Sequence, residues 1–217
     1  IKHHQLGISR ALFLQGGSPH RYFSALSISL FLSANETDVR QAILAGSPAG
    51  RVLPNKNLEF DNEQELRIAF DFDGVIADDE AEKIYHETND LNKFHTNETK
   101  KSNTPHNPGP LKSLLQKLSI IQAIEKNKFD TDSSYTKRLH ISIVTARNAP
   151  SHERVINTMR SWEIMVNDAF FLGGIEKKKI LEILKPHIFF DDQELHLSEA
   201  SPSVHIPFGV KNQEFSD

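Results

Sequence analysis

Cysteine is absent from the 217 residues. That excludes a disulfide framework and any thiolate metal site, and it is compatible with a reducing compartment. No run approaches the ~20 consecutive apolar residues of a membrane-spanning helix. Residues 1–15, IKHHQLGISRALFLQ, contain no long apolar stretch leading to a small-residue cleavage site, as a secretory leader would. Positive charge is not in excess either: 25 Lys and Arg stand against 29 Asp and Glu, a formal net charge of −4. That balance attracts neither a polyanion nor an anionic bilayer, so no nucleic-acid polymer and no membrane is expected as a partner. The expected location is cytoplasmic. Internal repeats and low-complexity tracts are missing too. What remains is a composition 38% hydrophobic and 25% charged, in a chain long enough for one large domain with a sizeable core.

Hydrophobic patterning divides this chain into two parts. Residues 11–33 alternate, with Leu26, Ile28, Leu30 and Leu32 set against Ser27, Ser29, Phe31 and Ser33. With Gly16 and Gly17 as the turn, they are expected to form a β-hairpin. NETDVRQAILAG reads as a capped helix stopping at Gly46, and SPAGRVLPNKN as a linker. An N-terminal hairpin and helix segment is thus assigned to residues 1–60 and a core to 66–217. Within the core, strands RIAFDF, LHISIV (139–144), DAFFL (168–172) and HIFF (187–190) alternate with helical stretches. The helices expected there include DEAEKIYHETNDL, SHERVINTMRSW, KKKILEILK and an amphipathic helix with Leu111, Leu114, Leu115, Leu118, Ile121 and Ile124 on one face. Residues 93–109 read as a polar loop, inside an insertion at 78–110 that could cover a site. Alternating strands and helices predict an α/β domain with a mainly parallel sheet.

In such sheets, loops leaving the carboxyl ends of the strands line one crevice. Asp71 and Asp73 follow the first core strand; Thr145, Ala146 and Arg147 the second; Gly173, Gly174 and the Lys177–Lys179 run the third; Asp191 and Asp192 the fourth. Carboxylates gathered at one sheet edge suit a hard cation such as Mg²⁺, which takes carboxylates, waters and phosphate oxygens. The Thr145 hydroxyl, backbone N–H groups at a helix start and a lysine suit a phosphate. Asp71 can act as a nucleophile and Asp73, two residues on, as an acid and base. Asp78, Asp79, Glu80 and Glu82 read as the acidic first turn of a helix. Arg147 reads equally as a phosphate contact or a surface ion pair. Trp162, Met159 and Val155 read as core, and His187 and His196 as structural.

The strand-borne D-x-D-G-V, a Thr closing a second strand, a later Lys and a strand ending in Asp-Asp resemble the haloacid dehalogenase-like (HAD) phosphatases. More narrowly, RIAFDFDGVIADDEAE, GPLKSLL, IVTARNAP, MRSWEIMVNDAFFLGGIEKKKILEILKPHIFFDDQELH and VHIPFGV resemble the cytosolic 5′-nucleotidase I family, over about Leu12 to Val210. Phe72 departs from the glycine of that family. The resemblance implies a Rossmann-like HAD core with a small cap insertion, and a family N-terminal region that this sequence lacks. It implies Mg²⁺-dependent hydrolysis of nucleoside 5′-monophosphates through an aspartyl-phosphate. Asp71 would then be the nucleophile and Asp73 the acid/base, lending the metal its backbone carbonyl. Thr145, Ala146 and Lys177 would hold the phosphate, with Lys178 and Lys179 as rivals for the lysine. Asp71, Asp73, Asp191 and Asp192 would form the metal site.

Two other readings stand beside this one. A HAD phosphatase or phosphotransferase could use another small phosphomonoester, or a non-catalytic module could bind nucleotide. Tyr85 and Phe94 in the insertion, and Tyr22 and Phe23 in the hairpin, are candidates for contacting a base. The exposed alternation of the hairpin is also compatible with a homo-oligomer.

Overall fold

The computed structural model describes Gly7 and residues 10–55, 64–197 and 201–212. The boundary expected between residues 60 and 66 falls largely on 56–63, outside the described residues. Strand β1 (Phe31–Ser33), helix α1 (Glu36–Leu44) and strand β2 (Ala49–Val52) come first, and strand β3 (Leu66–Phe70) follows. Helices α2 (Glu80–Thr88), α3 (Leu91–Lys100) and α4 (Lys112–Thr131) separate β3 from strand β4 (Leu139–Thr145). Then come α5 (His152–Ser161), β5 (Asp168–Phe171), α6 (Lys177–Leu184), β6 (Ile188–Asp191) and β7 (Ser203–His205). The seven strands form one sheet in the order β1-β2-β7-β6-β3-β4-β5. Every pairing is parallel except β2 with β7. The mainly parallel α/β architecture expected from the alternation is therefore present.

Period-two alternation in the central strands splits the core between the two faces of the sheet. Ile68, Phe70, Ile141, Ile143 and Phe190 pack with Leu111 and Leu115 in one cluster. Ala69, Val144 and Phe189 pack with Leu172 and Leu181 in another. Val155 and Met159 of α5 are buried, and Trp162 packs against the first cluster, as their helical spacing suggests. Among the described residues no helix is long and apolar enough to cross a membrane.

Four expectations are corrected. No hairpin occupies residues 11–33. Gly17 N–H closes a turn on Leu14 O, a 3-10 turn runs over His20–Tyr22, and Ser27 adopts a positive φ. Phe23 is the reason: it buries itself against Val39, Ala42 and Ala49, leaving the alternation no antiparallel partner. Strand β1 instead pairs in parallel with β2 across α1. The expected linker thus contains β2, and Gly50 there marks close packing: a Cβ would lie 2.3 Å from Val204 Cγ1. Residues 93–100 of the expected loop belong to α3, started by Asp90, whose carboxylate accepts from Asn92 and Lys93 N–H. Finally, the amphipathic face of α4 is rotated. Leu111 and Leu115 are fully buried, whereas Ile121 and Ile124 are about half exposed.

Candidate active site

Strands β6, β3 and β4 are neighbours, so their carboxyl ends deliver Asp191 and Asp192, Asp71 and Asp73, and Thr145 to one place. Lys177, the first residue of α6, joins them: its Nζ lies 2.7 Å from Asp71 Oδ2 and 2.6 Å from Asp191 Oδ2. Asp71, Asp73, Thr145 and Ala146 line a cavity of about 370 Å³. The residues singled out from the sequence therefore do converge. Among the three lysines, only Lys177 is buried; Lys178 is exposed and pairs with Glu182, and Lys179 is exposed. Gly74, at φ +70°, lets the backbone pass the Asp192 carboxylate, which a Cβ would approach to 2.6 Å.

Burial dominates the electrostatics. It pushes the Asp71 carboxyl up to about 6 against the pull of Lys177. Burial and the charge of Asp73 push Glu82 up to about 8, and burial with Glu82 pushes Asp192 up to about 10. Asp191 goes the other way: burial opposes its ionisation, but Lys177 and His196 outweigh that and hold it below its ordinary range. Lys177 Nζ, His196 Nδ1 at 3.2 Å and Gln193 N–H at 2.9 Å engage both Asp191 oxygens.

That leaves an acidic imbalance which fits a divalent cation. Both carboxylate oxygens of Asp192, and Oε2 of Glu82, are buried without a hydrogen-bond partner. Unpartnered buried carboxylates are expensive, and a hard cation with oxygen ligands relieves them. Asp71, Asp191 and His196 also place ligand atoms within 4.8 Å of one another. However, Asp191 and His196 already serve each other, which makes Asp192 the better-matched donor. A second grouping, Asp78, Glu80 and His106, is already balanced, because Glu80 is paired with Lys101 and Arg154.

Arg147 is no surface residue. Its side chain is 3% exposed and grips Asp73 with two hydrogen bonds, Nε to Oδ2 at 2.6 Å and Nη2 to Oδ1 at 2.7 Å. Nη1 is paired with Glu98 of α3 and donates to Ser151 O. The fully buried Glu98 carboxylate also receives Arg154 Nη1 at 2.9 Å and has His106 Nε2 at 3.4 Å. Burial opposes the charge on Glu98, but His106 and Arg147 together hold its carboxyl far below the ordinary value of 4.5. A depressed folded-state value means stability that is present above 4.5 and lost as acid protonates the group. Thermal midpoints should therefore fall between about pH 5 and pH 3. Glu98→Gln should start lower at pH 7 and fall less over that range; an unchanged pH slope would show that Glu98 carries no such linkage.

The outer wall is aromatic. Tyr85 of α2 and Phe94 of α3 line the cavity with Leu91 and His95. Tyr22 and Phe23 do not line it; Phe23 is buried in the N-terminal cluster. Three contributors escaped the sequence reading. Glu82 looked like a helix-dipole acid, and Glu98 lay in an expected loop. His196, set aside as structural, both lines the cavity and engages Asp191. Position alone flagged Arg147, two residues after the strand-ending Thr145; its partner Asp73 did not show in the sequence.

Comparison with known proteins is consistent with this geometry. Residues 1–213 match the family described as 5′-nucleotidase. Cytosolic 5′-nucleotidase 1B of Homo sapiens is 33% identical over 218 residues, covering 100% of this chain and 35% of that protein. The chain thus spans about a third of the length of this curated relative. No solved structure matches it.

Proposed function

Because the chain belongs to the 5′-nucleotidase family, we propose that it carries the catalytic core of a phosphoric monoester hydrolase that splits nucleoside 5′-monophosphates into nucleoside and phosphate. The observation that carries this reading is the Lys177 bridge between Asp71 and Asp191, beside a cavity lined by Asp73 and Thr145. Asp71 is the nucleophile: one carboxylate oxygen is held by Lys177 at 2.7 Å and the other by Phe72 N–H at 2.7 Å, which fixes its direction. Thr145 Oγ1 accepts from Arg147 N–H, so its own proton is available to a phosphate oxygen, alongside the Ala146 backbone. Lys177 offsets the charge growing on the transferring group. Asp73 protonates the departing 5′-oxygen and then takes a proton from the water that cleaves the aspartyl-phosphate. Asp71, the Asp73 carbonyl and Asp192, with Asp191 beside them, would hold Mg²⁺. When bound, the ion neutralises phosphate charge and orients the phosphate for in-line attack. Tyr85 and Phe94 are placed to stack on the base, and the insertion at 78–110 acts as the cap that excludes water.

The test is inorganic phosphate release from a panel of nucleoside 5′-monophosphates, with Mg²⁺ and with EDTA. Release that EDTA abolishes and Mg²⁺ restores is expected. Nucleotide binding without release at saturating Mg²⁺ would overturn the enzymatic reading in favour of a binding module. Phosphate passed to an added nucleoside would mark a phosphotransferase instead.

A further inference from the structure

The proposed acid/base is not free in its cavity. An arginine side chain carries five N–H donors. Four hydrogen bonds already leave Arg147: two to Asp73, one to Glu98 and one to Ser151 O. The guanidinium carbon also lies over the rings of Phe72 and Phe94, 5.7 and 5.4 Å from their centroids. A group so engaged is badly placed to clamp a phosphate. It is well placed to hold one carboxyl in one orientation, because a fork-on-fork pair fixes both atoms and plane. The fork takes one lone-pair site on each Asp73 oxygen, and other sites remain for a proton facing the cavity that Asp73 lines.

Beyond Asp73, the chain of contacts runs into the insertion. Glu98 on α3 holds Arg147 on one side and Arg154 of α5 on the other. Arg154 in turn reaches Glu80 of α2 at 3.0 Å and Thr104 O at 2.9 Å. The helix whose Phe94 and His95 line the substrate cavity therefore also anchors the arginine behind Asp73.

We propose that Arg147, held by Glu98, is a positioning residue for Asp73, so that the insertion governs proton delivery to the leaving group rather than phosphate binding. This rests on the nucleotidase reading above. In the first step an Asp71 oxygen–phosphorus bond forms, the phosphorus–O5′ bond breaks, and the Asp73 proton moves to O5′. In the second, water oxygen bonds to phosphorus, the Asp71 oxygen leaves, and the water proton passes to Asp73. The arginine assists only through the carboxyl it orients.

Leaving-group dependence separates this from a structural or phosphate-binding role. A nucleoside 5′-alkoxide needs a proton to depart, whereas p-nitrophenolate does not. The ratio kcat/KM covers only the steps up to leaving-group loss, so the later base role of Asp73 does not enter it. Arg147→Lys and Glu98→Gln, each assayed with Mg²⁺ on a nucleoside monophosphate and on p-nitrophenyl phosphate, should lose about 10²-fold more kcat/KM on the nucleotide than on the aryl ester. Asp73→Asn supplies the benchmark for that selectivity. Both substrates meet the same sample, so any unfolded fraction cancels in the ratio. Equal losses on the two substrates, or no loss on either, would overturn the positioning role. Absence of wild-type phosphate release would instead overturn the nucleotidase reading beneath it.

Discussion

Asp71→Asn should abolish phosphate release, by roughly 10⁴-fold or more, while leaving a folded protein. The amide has the shape of the carboxylate but is too poor a nucleophile to attack phosphorus. Lys177 gives up the Asp71 oxygen at 2.7 Å, but both neighbours keep a partner. Phe72 N–H keeps an oxygen acceptor, and Lys177 keeps Asp191 at 2.6 Å. The stability effect has a definite sign. Burial lifts Asp71 from its ordinary 3.8 to about 6, so above that pH its charge costs more in the folded state than in the unfolded one. Removing the charge should leave the thermal midpoint at pH 7.5 unchanged or raised. A variant that is inactive yet no less stable is what a carboxylate kept for chemistry predicts. Activity within tenfold of wild type would eliminate Asp71 as nucleophile. A strongly lowered midpoint would instead mark it as a structural partner of Lys177. Acid quench of wild-type single turnovers, followed by hydroxylamine trapping, should reveal the acyl-phosphate that the variant cannot form.

The second large effect concerns Lys177. Its side chain is 3% exposed and is the cation touching both Asp71 and Asp191. Burial opposes its charge, but those two carboxylates outweigh that and raise its pKa. Lys177→Met keeps the length and apolar stem but leaves two buried carboxylates without their counter-charge. Breaking such a pair costs about 3–5 kcal/mol. Urea unfolding in EDTA should show a loss of that order, and Mg²⁺ should recover part of it by occupying the vacated negative field. Phosphate release should fall by at least about 10³-fold even in saturating Mg²⁺, because charge stabilisation of the transferring group is lost. Lys178→Met and Lys179→Met are the controls, both side chains being exposed. A loss below 1 kcal/mol for Lys177→Met would mean that Asp71 and Asp191 simply take up protons and that the bridge is not structural.

How much of this was legible without coordinates differed from element to element. The D-x-D after a β-rich hexamer, the strand-ending Thr145 and the Asp191–Asp192 pair were recognisable because strand ends in a parallel sheet open on one crevice. Spacing narrowed the lysine only to three neighbours, and it was the family resemblance that singled out Lys177. Helix α1 was readable from its Asn35 cap and from Gly46 at φ +72°. Helix α3 was not, because its ten residues hold few apolar side chains. Its buried anchor is a carboxylate, Glu98, satisfied by arginines that arrive from the loop after β4 and from α5, 49 and 56 positions along the chain. Local patterning contains no record of such partners. The same limit explains α4, where an apolar face was visible but its rotation depended on the surface it meets.

By itself, then, the sequence determined which polar and charged residues stand at the ends of which strands. Local periodicity and turn chemistry suffice for that, since each strand announces its own terminus. The tertiary structure alone decided charge state and orientation. Glu82 and Asp192 became reluctant acids because packing removed their water, and Asp73 acquired a direction because Arg147 was brought across the sheet edge to grip it. Desolvation and long-range pairing are properties of the assembled chain, so no window of residues could have revealed them.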